Sequence, residues 1–344
     1  MTAFHLACSR AKEKDRPAPV GAPLECFMLD KISQDDGGAT SVPDRRSPHY
    51  APVTTPRAAR PDFLCIGAQK AGTTWLYANL RSHPGILMPP VKEVAYFSTL
   101  YVPGWAKADA EHRAFQVNQA RRHWTAPDSP NAKGPRPELR ARVLASLDAL
   151  AQEPMTDDAY ATLFEGCAVD QVCGEISPQY CVLPREGIRH ALAMNPNLKV
   201  IALLRHPVTR AMSHLAMLCG KNPTAERMKE IALSNWWNGV SWYSDYATWL
   251  LRWKGMLPQG QLHIDYNGLI RDDPMGVLRR TCDFLGLPYT DAHFPKARER
   301  VFEGGKPEGD TAPVREIVMQ KLAPMLDDLR RRMPDVAAEL ERHG

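Results

Sequence analysis

The chain has 344 residues, enough for one large domain or two modest ones. With 44% apolar and 24% charged residues and a net charge of +4, it has a globular composition without the concentrated basic excess of a non-specific nucleic-acid binder, and it leaves room for an anion-binding pocket. No run approaches the about 20 apolar residues of a membrane span, and MTAFHLACSRAKEKD turns charged before an apolar core develops, so no integral membrane segment is expected and the expected location is the cytoplasm.

Residues 1–60 are rich in Pro, Ala, Arg and Asp and carry no apolar period, which predicts a disordered or loosely packed tail. The domain proper is expected over 61–340. Phe63–Gly67 has the length of a buried parallel strand, and Thr73–Arg81 follows as a helix stopped by His83-Pro84-Gly85. Residues 104–142 mix basic, polar and proline residues without clear periodicity, which suggests a surface insertion with short helices. A short strand at 172–180 precedes a helix at Arg185–Met194, and Leu198–Leu204 (LKVIALL) is a second buried strand. Pro207 opens the next helix, where a first-turn proline is tolerated. A long helix is expected at 241–257, a strand within 260–270, a helix at Pro274–Leu285 with Asp273 as N-cap, and a last helix from about Pro313 to Arg332. Strands alternating with helices predict an α/β fold, a P-loop-like three-layer arrangement with a mostly parallel central sheet flanked by helices. Eight cysteines at irregular spacings form no C-x-x-C pair and read as reduced, mostly buried thiols.

The stretch most informative about chemistry is FLCIGAQKAGTTWLYANL, residues 63–80. Gly67-Ala68-Gln69-Lys70-Ala71-Gly72-Thr73-Thr74 has the outline of a phosphate-wrapping turn: glycines let backbone N–H groups face one point, and the following helix adds its own unpaired N–H groups and positive dipole end. The nucleotide-triphosphatase version places a lysine directly after the second glycine; here Thr73 holds that position and the lysine stands inside the loop at 70. Farther on, VIALLRHPVTRAMSHLAM places Arg205 at the end of a strand and Ser213 eight residues later in a helix. A strand's carboxyl end is where open α/β sheets bind ligands, and a guanidinium there can fork onto phosphate oxygens.

Q-K-A-G-T-T-W-L resembles the 5′-phosphosulfate loop of sulfotransferases that use 3′-phosphoadenosine 5′-phosphosulfate (PAPS), and the Arg205–Ser213 spacing resembles that family's 3′-phosphate motif. KEVAYFS (92–98), GEISPQY (174–180) and the segment from Val240 to Leu287 are similar to the glycan-type branch, the heparan sulfate enzymes and their bacterial relatives. The resemblance covers roughly residues 61–335. It implies PAPS as co-substrate with no metal, and a carbohydrate or small-molecule acceptor. In it Lys70, Ala71, Gly72, Thr73, Thr74, Trp75, Arg205, Ser213 and Lys306 bind the donor, Trp75 near the adenine. Lys70 stabilises the leaving group, Glu93 takes the acceptor's proton with a basicity that burial raises, and Lys92 contacts the sulfuryl group or the acceptor. Lys306 lies in GGKPEG (304–309), which departs from the K-G-R of the relatives, and Ile176 replaces the lysine of their G-E-K-[ST]-P turn. Arg210 is expected as an exposed helix charge. The stripe Trp242, Tyr246, Trp249, Trp253 reads as core or as an acceptor-cleft wall, with Trp236 and Trp237 as further cleft candidates. Two other readings stand beside this one: a P-loop nucleotide kinase or hydrolase, and a catalytically inactive nucleotide-binding relative.

Overall fold

The computed structural model describes residues 59–126, 137–299 and 305–343; the expected N-terminal tail lies outside these, apart from its last two residues. Five strands, β1 (Phe63–Cys65), β2 (Ile86–Leu87), β3 (Val172–Ile176), β4 (Lys199–Leu204) and β5 (Leu262–Tyr266), form one sheet in the order β2-β3-β1-β4-β5. Every pairing is parallel, with Leu64 of β1 opposite Glu175 on one side and Val200 on the other. Parallel strands covered on both faces carry continuous apolar runs, and Phe63–Ile66 and Val200–Leu204 are fully buried.

The chain leaves β1 toward one edge of the sheet and passes from β4 to the other, so the carboxyl ends of β1 and β4 flank the reversal of strand order, where such sheets bind ligands. Among the helices around the sheet are α1 (Thr73–Leu80) after β1, α2 (Tyr96–Tyr101), α3 (Ala106–Thr125), α4 (Pro207–Leu218) after β4, α5 (Ala225–Leu233), α6 (Tyr246–Lys254), α7 (Asn267–Asp272), α8 (Pro274–Leu285), α9 (Ala312–Arg332) and α10 (Pro334–His343). A main apolar core surrounds the sheet, and a second, smaller one joins α4, α5 and α9 through Val208, Leu215, Met228, Val314 and Val318.

Three elements differ from expectation. Residues 104–142 contain a 20-residue helix, α3, rather than short pieces. Its buried face includes Asp109, His112 and Arg113, so the spacing is helical but the residues are polar and give no apolar period. The helix expected over 241–257 is two, Trp237–Trp242 and α6, because the Asp245 carboxylate accepts from Thr248 N at 3.3 Å and starts a new helix. Past the last expected helix, α10 continues the chain and packs Val336, Ala337 and Leu340 inward. Asp273 caps α8 as expected, accepting from Gly276 N at 2.9 Å.

Candidate active site

The turn after β1 is strapped to β4 before it leaves the sheet: Leu203 N donates to Gly67 O and Ala68 N to Leu203 O, both at 2.6 Å. Lys70 stands at φ 69° and Gly72 at φ 100°. At Gly72 a Cβ would lie 2.4 Å from Ile270 Cδ1 and 3.1 Å from Asn267 Nδ2, so only glycine lets α7 close over the turn. Gly72 is the N-cap of α1; no side chain caps it and no acidic residue occupies the first turn. The positive end of α1 therefore meets no counter-charge from its own first turn.

Arg205 reaches into the same junction. Its Nη1 donates to Lys70 O at 3.3 Å across 135 residues of sequence, and its Nε donates to Thr209 Oγ1 at 3.3 Å. Tyr246 fixes the backbone: its hydroxyl donates to Arg205 O at 2.6 Å and accepts from Arg205 N at 3.3 Å. No carboxylate among the described residues pairs with the Arg205 guanidinium, and burial lowers its pKa from the ordinary arginine value. Ser213 sits half-buried on α4, beside His214, which burial, Arg210 and Lys70 together keep well below the ordinary imidazole pKa. Arg210 itself is fully buried rather than exposed. Its Nε donates to Ser244 Oγ at 2.8 Å, Nη2 donates to Val240 O, and Nη1 stands 3.2 Å from His214 Nδ1, so polar groups on the loop before α6, on the helix Trp237–Trp242 and on α4 itself take it inside.

On the other side of β1, the segment between β2 and α2 brings Lys92 and Glu93 against the carboxyl end of β3. Glu93 N donates to Ile176 O at 3.1 Å, and Ser177 N donates to Cys65 O at 3.1 Å, which ties this segment to the strand that feeds the Lys70 turn. Glu175 props it from below. Fully buried, it accepts from Tyr160 and Tyr180 hydroxyls at 2.8 and 2.6 Å and from Ser177 Oγ at 2.6 Å, and Ser177 Oγ accepts from Ala95 N at 3.0 Å. Glu93 is nearly buried, with φ 65°. Its Oε1 pairs with Lys92 Nζ, and its Oε2 accepts from Gln179 Nε2 at 3.4 Å and lies 3.9 Å from His112 Nε2. Burial pushes the Glu93 carboxyl up, but Lys92, His112 and the Gln179 amide outweigh it and hold the carboxyl below its usual range. This reverses the expectation that burial raises its basicity; the nearby cation decides the sign.

The remaining expected residues are spread unevenly. Ala71 and Thr73 are buried in the turn and Thr74 is exposed. Trp75 is buried and its Nε1 donates to Ala297 O at 2.9 Å, so the indole's polar edge is taken up within the protein. Lys306 is exposed on a segment tied to the loop before α5, with Ala225 N donating to Glu308 O at 2.9 Å and Glu308 N to Pro223 O at 2.8 Å; the neighbouring Gly304 of the expected closing loop lies outside the described residues. Tyr246, Trp249, Trp253 and Trp237 are buried, whereas Trp236 and Trp242 are each 39% exposed. Sequence reasoning missed His112 and Asp109. Ser98 Oγ donates to Asp109 Oδ2 at 2.7 Å, and burial pushes the Asp109 carboxyl up to about 7.

Comparison with known proteins bears on the family and the fold. The chain is 33% identical over 144 residues to heparan sulfate glucosamine 3-O-sulfotransferase 3B1 of Mus musculus, covering 39% of this chain and 37% of the relative. It is 32% identical over 144 residues to heparan sulfate glucosamine 3-O-sulfotransferase 6 of Homo sapiens, covering 39% and 42%. The chain thus spans about two fifths of the length of the curated relatives it matches. A sulfotransferase structure from Alicyclobacillus acidocaldarius superposes with a TM-score of 0.51 at 23% identity, over 79% of this chain and 95% of that one, and shares the fold. Residues 61–291 match the sulfotransferase family, and the chain belongs to it.

Proposed function

We propose that the protein transfers a sulfuryl group from PAPS to a hydroxyl of a glycan. The observation that carries this reading is the hydrogen bond from Arg205 Nη1 to Lys70 O, which joins two turns on adjacent strands at the N-terminus of a helix whose first turn holds no acidic residue. A half-buried guanidinium with no carboxylate partner among the described residues, next to a lysine-bearing turn, suits a ligand with two separated anionic groups. The family supports the donor, and the relatives named for heparan sulfate glucosamine support a glycan acceptor.

When bound, the donor supplies an activated sulfuryl group on a phosphate leaving group. The backbone N–H groups at the start of α1 and the Thr73 hydroxyl hold the 5′-phosphate, and Lys70 places positive charge where the departing phosphate gains negative charge. Arg205 and Ser213 hold the 3′-phosphate and so fix the donor's orientation. Glu93 takes the acceptor's proton; like any carboxylate in or below the usual pKa range it is ionised at neutral pH. Ile176 is fully buried and supplies no cation, so a heavily sulfated acceptor finds one fewer charged contact than in relatives with lysine there.

Calorimetry with adenosine 3′,5′-bisphosphate (PAP) against ATP plus magnesium tests the reading. PAP is expected to bind tighter. Tighter ATP binding assigns the turn to a nucleotide kinase or hydrolase and overturns it.

A further inference from the structure

Lys92 and Glu93 form a pair that cannot perform both of the roles their positions suggest at once. The pair is nearly closed from solvent, with side chains 14% and 10% exposed. Glu93 has partners on both oxygens, Lys92 on Oε1 and Gln179 on Oε2, with His112 behind Oε2. A carboxylate so paired is a poor proton acceptor, because its negative charge is already compensated. The turn that holds Lys70 starts on the strand against which this segment is fixed through Ser177 and Cys65. Glu93 N, next in the chain to Lys92, donates to Ile176 O at 3.1 Å, and Ile176 is the register partner of Cys65, which brings the pair to the carboxyl end of β1.

We propose that Lys92 is handed over: in the empty site it neutralises Glu93, and when a donor carrying a sulfuryl group binds, it turns to that group and releases Glu93 as a base. The inference rests on the PAPS reading above. Its use is timing, since Glu93 gains basicity only when there is a sulfuryl group to transfer. The other groups facing Glu93 stay in place and set the background. His112, Asp109 and Arg113 come from α3, and Gln179 comes from the turn after β3. His112 is kept below the ordinary imidazole pKa chiefly by burial, and Arg113 is held by Glu153 and by Val94 O, which accepts from its Nη1 at 3.1 Å. Lys92 bears directly on Glu93 and has a flexible stem, which makes it the member able to move.

The hand-over has a signature that needs no acceptor. Release of Lys92 raises the pKa of Glu93, so in the acid range where carboxylates titrate PAPS binding draws in a fraction of a proton per site. PAP, which has both phosphates but no sulfuryl group, leaves Lys92 on Glu93 and draws in none through it. Calorimetry of each nucleotide in buffers of different ionisation enthalpy measures the uptake, and subtraction of the Glu93→Gln value isolates the part owed to Glu93. The expected result is a Glu93-dependent uptake with PAPS that is absent with PAP and is lost in Lys92→Met, while PAP affinity is unchanged in Lys92→Met. Equal uptake with both nucleotides, or none with either when both bind, overturns the hand-over and leaves the donor reading standing. Failure of both nucleotides to bind overturns the donor reading and the hand-over with it.

Discussion

Arg205 and Arg210 lie one helical turn and a strand end apart, yet their surroundings give them different tasks. Arg210 is fully buried and spends its donors on Ser244 Oγ and Val240 O, so its work is internal. Arg205 is less enclosed, and among the described residues its guanidinium is held through two long bonds, both 3.3 Å. A cation left with weak internal bonds has donors to offer an anion, and a hydrogen bond to a charged group contributes about 1.5–3 kcal/mol. Arg205→Ala is therefore expected to weaken PAP binding by roughly 10–100-fold with little change in thermal midpoint. Arg205→Lys keeps the charge but loses the planar fork, so its affinity should fall between the two. Calorimetry and a melting curve on each variant check this. A large fall in midpoint with unchanged affinity would make Arg205 a structural residue.

At the scale of the elements, the site depends on how closely β3 lies against β1. A Cβ at Gly174 would stand 2.3 Å from Phe63 O and 2.5 Å from Phe63 Cδ1, and backbone cannot give way as a side-chain tip can. Gly174→Ala must push the two strands apart and strain the Ser177–Cys65 bond that aligns Glu93 with the Lys70 turn. We expect a loss of about 1–3 kcal/mol in urea unfolding together with weaker PAP binding; unchanged stability would mean that the strands separate freely. The same elements show what sequence could reveal. The strands β1 and β4 and the capped helix α8 were legible because buried runs and an Asp-Pro start announce themselves locally. The Lys70 and Arg205 turns were legible because each is a contiguous motif. β2 has two residues, too few for a pattern. α3 was hidden because it turns Asp109, His112 and Arg113 inward, and their partners lie on α2 (Ser98) and on the loop before it (Glu93, Val94). The sign of the Glu93 shift was hidden for a related reason: burial is visible as a tendency in sequence, but the cation that outweighs it is a matter of position. α10 did carry a signal, since Val336, Ala337 and Leu340 have helical spacing after Pro334.

For the whole molecule, these inward-facing charges make stability depend on pH in two opposing ways. Glu93 has a folded pKa below its unfolded one, so its contribution is present above the usual carboxylate range and is lost as pH falls through the lowered value. Asp109 is the reverse: its folded pKa is raised from 3.8 to about 7, so the folded state holds an extra proton between those values. The stabilisation it brings is complete below 3.8 and disappears as pH rises through about 7. Above that, the molecule keeps a buried carboxylate facing Glu93, with only Ser98, Thr99 and Arg113 to offset it. Asp109→Asn removes the titration and the repulsion while leaving an oxygen to accept from Ser98. Its unfolding free energy should therefore vary less between pH 4 and 8 than that of the native chain. At pH 8 it should exceed the native value by roughly 2–4 kcal/mol, about 5 °C or more in midpoint. Melting curves across that range check both statements. An Asp109→Asn protein that keeps the native slope would assign the alkaline loss to another group, and one destabilised at every pH would show that the carboxylate's bonds to Ser98 and its attraction to Arg113 outweigh its burial.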